Sequence, residues 1–303
     1  MSQMSAKVTS VGSLNLDLTY LLERLPQPGE TLLSQSFQRR CGGKGANQAA
    51  AAAAAGAQVT MLGAVGRDDG GELMVAELRE WGVATAAITT LDQVPSGSAV
   101  ILRDTGSGEN MIIVEPGANG LFQPSMIDRD VITAADVVLC QLEIPVATVA
   151  AAAALCEGTL ILNIAPWQPL PPGLLERVDL LVANQTEIAA LAAAPPPGTL
   201  AETVLLLERA ALGCAVIVTV GGAGAVLYEP GGGVPLGLPA PAVEVRDTTG
   251  AGDCFCGVLA ARLAAGAELA EAARAAVIGA SLSIQGAGAR GLLPSLEQIL
   301  AVA

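Results

Sequence analysis

The chain has 303 residues, 52% of them hydrophobic but only 2% aromatic, and a formal net charge of −14. Such a charge repels polyanions, which excludes nucleic acid as a partner; any bound phosphate must be held locally by backbone N–H groups, a metal or a few cations. There is no histidine, so imidazole is removed as base, nucleophile or metal ligand.

The mean hydropathy of +0.54 raises the question of a membrane. The most apolar stretch, 49–65, is mostly alanine and is broken by Gly56 and Gln58, and no span of about 20 strongly apolar residues occurs. The alanine excess reads chiefly as a compositional bias on helix surfaces, with small residues also favouring close helix packing. Residues 1–7 lack the long apolar core of a signal peptide. A cytoplasmic protein with no membrane partner is therefore expected. None of the six cysteines forms a C-x-x-C pair. They read as reduced, buried small hydrophobes.

In chain order, residues 8–11 form an apolar run ending at Gly12 and predict a first strand. Two polar, turn-rich stretches, 17–40 and 96–114, do not alternate with helices. The second carries short β-like runs at 98–102 and 110–114 around a Gly-rich turn. We read the two as a small β layer apart from the main body. The rest alternates. Helices are expected at 44–55, 69–81, 146–156, 187–193, 202–211, 252–265, 269–285 and 296–302, and strands at 59–62, 137–140, 159–162, 180–182 and 216–220. The Pro/Gly segment 230–241 reads as a loop. Repeated βα units with apolar strands imply a parallel sheet covered on both faces. Ligands then sit beyond the carboxyl ends of the strands. No internal repeat is visible, and residues 1–303 are expected to form one α/β domain.

Three constellations carry chemistry. Asp247-Thr248-Thr249-Gly250-Ala251-Gly252-Asp253 precedes a long apolar helix. Its glycines allow a tight turn, and the helix N-terminus adds partial positive charge, a site for a developing anion. Asp253 there is placed to take a proton from a hydroxyl; a Gly-rich turn with an Asp N-cap reads equally well. Gly42-Gly43-Lys44-Gly45-Ala46-Asn47 opens another helix but is not a Walker A loop. Asn47 offers both donor and acceptor to sugar hydroxyls, and a plain helix-start turn is the alternative. Asn15 and Asp17 share one side of an extended segment, where Asp17 can accept from a vicinal diol; Glu143, also past a strand end, is similar. Asn184 and Glu187 open a helix after a strand and suit either Mg²⁺ or a capping box. Gly221-Gly222-Ala223-Gly224 follows a strand but precedes a β-like run, 225–228, not the helix that a dinucleotide fingerprint needs.

Together these residues resemble the ribokinase (PfkB-type carbohydrate kinase) family, in order and over nearly the whole chain. The match also takes in Gly12-Ser13-Leu14-Asn15-Leu16-Asp17, Pro28-Gly29-Glu30-Thr31, Gly117-Ala118-Asn119, Gln141-Leu142-Glu143 and Val218-Thr219-Val220-Gly221. The resemblance implies a three-layer α/β/α fold with a mainly parallel central sheet. The β stretches at about 17–40 and 96–114 then form a lid that commonly also makes a homodimer interface. It implies ATP-dependent phosphorylation of a small sugar, D-ribose at its 5-hydroxyl being favoured by the Gly42 to Gln48 motif. Asn15, Asp17, Gly43, Lys44, Asn47 and Glu143 would bind the sugar. Asp253 would bind it too and be the base, and Gly250, Ala251 and Gly252 would stabilise the transferring phosphoryl group. Asn184, Thr219, Gly221, Gly224 and Gly252 would line the nucleotide site. Glu187 would place Mg²⁺ through water, and Asp247, Thr249 and Gly288 would supply ligands for K⁺.

Two departures stand out. A Gly-Ala-Gln-Pro-Ser-like segment near the C-terminus is replaced by Gly288-Ala289-Arg290-Gly291-Leu292. Leu292 stands where an oxygen-bearing side chain is expected, and Arg290 brings a fixed positive charge that would oppose a cation, so weakened K⁺ activation is expected. Val277 stands where relatives place Asn or His against the adenine. Deoxyribose, fructose or a nucleoside are the alternative acceptors. A catalytically silent sugar-binding paralogue is the alternative from another class.

Overall fold

The structure is a computed structural model that describes residues 6–210, 212–231 and 234–302. Three expectations fall partly outside these: the character of residues 1–5, the last residue of the 202–211 helix, and residues 232 and 233 of the 230–241 loop.

Thirteen strands are found among the described residues: β1 (Lys7–Val11), β2 (Asn15–Leu22), β3 (Ser36–Gly42), β4 (Gln58–Gly66), β5 (Ile88–Leu91), β6 (Gly97–Asp104), β7 (Asn110–Glu115), β8 (Val137–Cys140), β9 (Thr159–Asn163), β10 (Leu180–Asn184), β11 (Ala215–Thr219), β12 (Ala225–Tyr228) and β13 (Leu236–Leu238). The α-helices are α1 (Lys44–Ala54), α2 (Asp69–Glu80), α3 (Arg129–Thr133), α4 (Val146–Leu155), α5 (Gln185–Leu191), α6 (Leu200–Ala210), α7 (Ala251–Ala264), α8 (Leu269–Ser283) and α9 (Leu296–Leu300). The central sheet runs β13-β12-β11-β10-β9-β8-β1-β4-β5. It is parallel from β11 to β5, while β12 and β13 add antiparallel at one edge.

Side chains alternate across this sheet, so its two faces build two cores. Val8, Met61, Leu139, Ile161, Val182 and Ile217 face α1, α2, α7 and α8. Val11, Leu62, Val138, Leu160, Leu181 and Val216 face α3 to α6. Both faces being covered explains why the strands read as unbroken apolar runs.

β1 is where the strand order reverses. It lies parallel to β4 on one side and β8 on the other, with Val8 opposite both Val59 and Val137. A crevice opens beyond the carboxyl ends at such a switch point. Straight after β1 the chain enters a second, four-stranded sheet, β3-β2-β6-β7, which contains the two polar stretches.

Three expectations need correction. Gly63 does not end β4, which continues to Gly66; a Cβ at Gly63 would stand 2.6 Å from the Gly12 carbonyl, so this glycine serves close backbone approach. The 230–241 segment is not all loop, because residues 236–238 pair with β12. The alanines are not mainly a surface bias: Ala49 to Ala52 of α1 are at most 1% exposed. They let α1 approach α7 closely, and a Cβ at Gly257 of α7 would lie 2.5 Å from the Gln48 carbonyl.

Candidate active site

The close approach of α1 to α7 brings their first turns together. Asn47 donates from Nδ2 to Asp253 Oδ2 at 2.9 Å, and Gln48 donates from Nε2 to Asp253 Oδ1 at 3.0 Å. Each carboxylate oxygen of Asp253 thus holds one amide donor and keeps further acceptor capacity. Behind this pair the polar chain continues. Gln141 donates to Gln48 Oε1 at 2.7 Å, and Gln48 also donates to Asn163 Oδ1 at 3.2 Å. Asp253 is 7% exposed, and Gln48 and Gln141 are fully buried. Buried polar groups favour arrangements in which they are hydrogen-bonded, and the donors of Asn47, Gln48 and Gln141 are all used here, while Gln141 Oε1 is buried without a partner.

Asp253 sits in the first turn of α7, just after Gly250, which adopts φ +78° at the N-cap without a side-chain cap. A Cβ at Gly250 would meet Ala289 Cα at 2.5 Å, so both backbone and neighbour demand glycine there. The amides of a helix's first turn lack intrahelical acceptors and point outward. The 250–253 turn therefore sets helix-start amides beside a carboxylate acceptor, with the Ala251 amide donating to the Thr248 carbonyl at 3.2 Å.

The switch-point residues converge on the same place. Asn15 is held by Asn119, which donates from Nδ2 to Asn15 Oδ1 at 2.7 Å and also grips both backbone polar groups of Leu14. Glu143 Oε2 accepts from the Ser13 hydroxyl at 2.6 Å and from the Lys44 amide at 2.8 Å. Asp17, on β2, lies against the backbone of Gly42, where a Cβ would stand 2.2 Å from Oδ2. Burial first, and the nearby Glu143 charge second, push the Asp17 carboxyl up to about 6, with Arg290 pulling the other way. The Lys44 ammonium is held above its usual range mainly by Asp253, against burial, with Glu143 and Glu187 adding to it. The charge of Lys44 is thus favoured by the field of the three carboxylates.

On the other side of α7 lies a cavity of about 670 Å³. Asn184, Thr219, Gly221, Gly224 and Gly252 all line it, together with Val243, Phe255, Val277 and Ser281. The strand that follows Gly224 is antiparallel β12, so the glycine run is no dinucleotide turn. Asn184 and Glu187 form a reciprocal capping box at the start of α5, with distances of 2.8 and 2.9 Å. This uses Glu187 Oε2 and leaves Oε1 for an aquated cation. Among the described residues no group of three Cys, Asp or Glu side chains is arranged to hold a metal. One carboxylate near a phosphate site is the donor set that suits Mg²⁺ carried largely by nucleotide oxygens and water.

The residues expected to supply K⁺ ligands, Asp247, Thr249 and Gly288, form a compact turn. Asp247 accepts from the Thr249 hydroxyl and amide at 2.7 and 3.0 Å, and from the Gly288 amide at 2.8 Å. Burial raises its carboxyl, but these bonds outweigh it and hold Asp247 below the usual range. Arg290 requires a correction. Its charge does not face this turn; the guanidinium runs to Asn47, Glu77 and Gly42. Sequence reasoning assigned no role to Gln48, Asn119, Ser13 or Asn163. Ser13, Gln48 and Asn119 lie inside quoted motifs, which is the signal that was available.

Comparison with known proteins agrees with this geometry. The pfkB family of carbohydrate kinases matches residues 5–296. A ribokinase from Bacillus subtilis (strain 168) is 37% identical over 294 residues, covering 95% of this chain and 96% of that protein. The structure of Arabidopsis thaliana ribokinase complexed with ribose and ATP superposes with a TM-score of 0.90 at 32% identity, covering 99% of each chain. A deoxyribokinase from Salmonella typhi is 32% identical over 303 residues, covering 96% of each.

Proposed function

The chain belongs to the pfkB family of carbohydrate kinases, and from that premise we propose that it transfers the γ-phosphoryl group of ATP to the 5-hydroxyl of D-ribose. The observation that carries this reading is the doubly hydrogen-bonded Asp253 carboxylate. It stands between a cavity of nucleotide size and a cluster of sugar-binding groups. Asn47 and Gln48 keep Asp253 an acceptor, so it receives the proton of the attacking hydroxyl while that oxygen bonds to the γ-phosphorus and the bond from this phosphorus to the β–γ bridging oxygen breaks, releasing ADP. The amides of the Gly250 to Gly252 turn stabilise the charge on the transferring group, and Lys44 offsets the negative charge gathered there. Glu187, whose Oε1 is left over from the capping box, would hold a hydrated Mg²⁺, which when bound would supply neutralisation of the nucleotide phosphates. Asp247, Thr249 and the Gly288 loop form the K⁺ turn.

Asp17 and Asn15 set the acceptor. A carboxylate with two free oxygens suits adjacent hydroxyls, and a sugar lacking one of them leaves a buried oxygen unpaired. The β2-β3-β6-β7 sheet is the lid. Its outer strand exposes Met111, Ile112, Ile113 and Val114, the surface we assign to pairing with a second copy. No helix among the described residues is long and apolar enough to cross a membrane, and we place the enzyme in the cytoplasm. The test is ADP release with ribose, 2-deoxyribose, fructose and adenosine. Ribose should show the highest kcat/KM, by about tenfold or more over deoxyribose. A preference for deoxyribose overturns the substrate assignment, and ribose binding without ADP release overturns the activity.

A further inference from the structure

Arg290 lies on the loop after α8, yet only 5% of its side chain is exposed. All three guanidinium nitrogens are engaged. Nη1 donates to Glu77 Oε1 on α2 at 2.9 Å, Nε donates to Asn47 Oδ1 on α1 at 2.9 Å, and Nη2 donates to the Gly42 carbonyl at the end of β3 at 3.1 Å. The other end of Asn47 donates to Asp253. A continuous chain, Glu77–Arg290–Asn47–Asp253, therefore joins α2, the C-terminal loop, α1 and α7.

The chemistry of this chain has a direction. A carboxamide fits its place either way round, with oxygen and NH₂ exchanged. An ionised carboxylate on one side accepts only, so it calls for the NH₂. A guanidinium on the other side donates only, so it calls for the oxygen. With Arg290 present, a flipped Asn47 would set donor against donor and acceptor against acceptor. A neutral glutamine, the residue expected at this place from the resemblance, can serve either orientation. Lysine carries the charge but not the planar fork that reaches three acceptors at once.

We propose that Arg290 is a positioning residue for the phosphoryl transfer: anchored by Glu77, it locks the Asn47 carboxamide so that its NH₂ faces Asp253, and it ties the root of the lid strand β3 to the same point. It acts through Asn47 and does not touch the reacting atoms. This rests on the reading of Asp253 as the base.

The test uses the full-length enzyme. Arg290→Met, Arg290→Lys and Arg290→Gln are made alone and in an Asn47→Ala background, and kcat, KM for ribose and for ATP, and Tm are measured. Arg290→Met is expected to lower kcat and raise ribose KM, each about tenfold, with ATP KM nearly unchanged. Arg290→Lys should recover less than half of the kcat loss on a logarithmic scale. With Asn47 already removed, Arg290→Met should cost kcat no more than about twofold, because contacting residues couple. Multiplicative losses in the double variant overturn the proposal, as does an Arg290→Met enzyme with normal kcat per folded molecule. If Arg290→Met does not fold, Glu77→Gln takes its place, with the same non-additivity against Asn47→Ala expected. Calorimetric ribose affinity without nucleotide is read in parallel. It should fall in the Arg290 variants whether or not Asp253 is the base, and unchanged affinity counts against Arg290 alone.

Discussion

The two halves of the site are built by different means. On the sugar side, side chains hold one another: Asn119 grips Asn15, Ser13 meets Glu143, and Asn47 and Gln48 meet Asp253. On the nucleotide side the wall is glycine backbone and apolar surface, with Val243, Phe255 and Val277 facing the cavity. A network of buried polar groups has one satisfied arrangement, and removing any member leaves a partner unpaired. An apolar wall changes gradually with each methylene. The sugar half should therefore be brittle and the nucleotide half tolerant.

The largest expected effect is at the junction. Asp253→Asn should keep ribose binding but lower kcat by about 10²-fold or more, the usual scale for loss of a general base. Single-turnover measurement of ADP formation checks it, and a near-normal kcat would sink the assignment. Next comes Asp17→Ala, which should raise ribose KM by about tenfold or more through loss of charged hydrogen bonds. ATP affinity, titrated without sugar, should stay close to normal; an equal loss of both would erase the contrast between the two halves.

The pH dependence sharpens the same contrast. Asp17 titrates near 6 in the free enzyme, raised by burial and then by Glu143. Ribose KM should therefore climb as pH falls through 6, while ATP affinity is not subject to this titration. The sign for stability is opposite. A carboxyl whose folded pKa lies above its unfolded value binds its proton more tightly when folded. Its ionisation thus costs stability as pH rises from about 4 to about 6, on the order of 1–3 kcal/mol. Asp17→Asn should raise the Tm of the ligand-free protein at pH 8 and leave it nearly unchanged at pH 4. No gain at pH 8 would mean that the buried charge carries no such cost.

Smaller changes are expected on the nucleotide side. Val277→Ala removes part of an apolar wall and should alter ATP KM by about fivefold or less; a larger loss would show that this half is brittle too. The smallest effect concerns K⁺. Leu292 brings no side-chain oxygen where the resemblance expects a serine, so activation should be weak and Leu292→Ser should steepen it. Initial rates at constant ionic strength, balanced with tetramethylammonium, decide this. Strong saturable activation of the unaltered enzyme would show that backbone carbonyls suffice.

Much of this was legible in the order of residues, for local reasons. Apolar runs announced β1, β8 and β9, and the absence of a helix after Gly224 correctly excluded a dinucleotide turn. The Gly250 to Gly252 turn before an apolar stretch marked the start of α7, because helix starts and glycine turns are properties of a few neighbouring residues. What only the tertiary structure decided is which distant groups meet. Arg290 and Asn47 are 243 positions apart, and nothing near Arg290 in the chain tells whether it faces solvent, the K⁺ turn or the sugar. The direction of that side chain follows from α1 and α7 packing through alanine and glycine, which places Asn47 against Asp253 and leaves its oxygen open to the C-terminal loop. A long side chain finds its partners by where folded elements leave unpaired acceptors, and that is a property of the packed molecule.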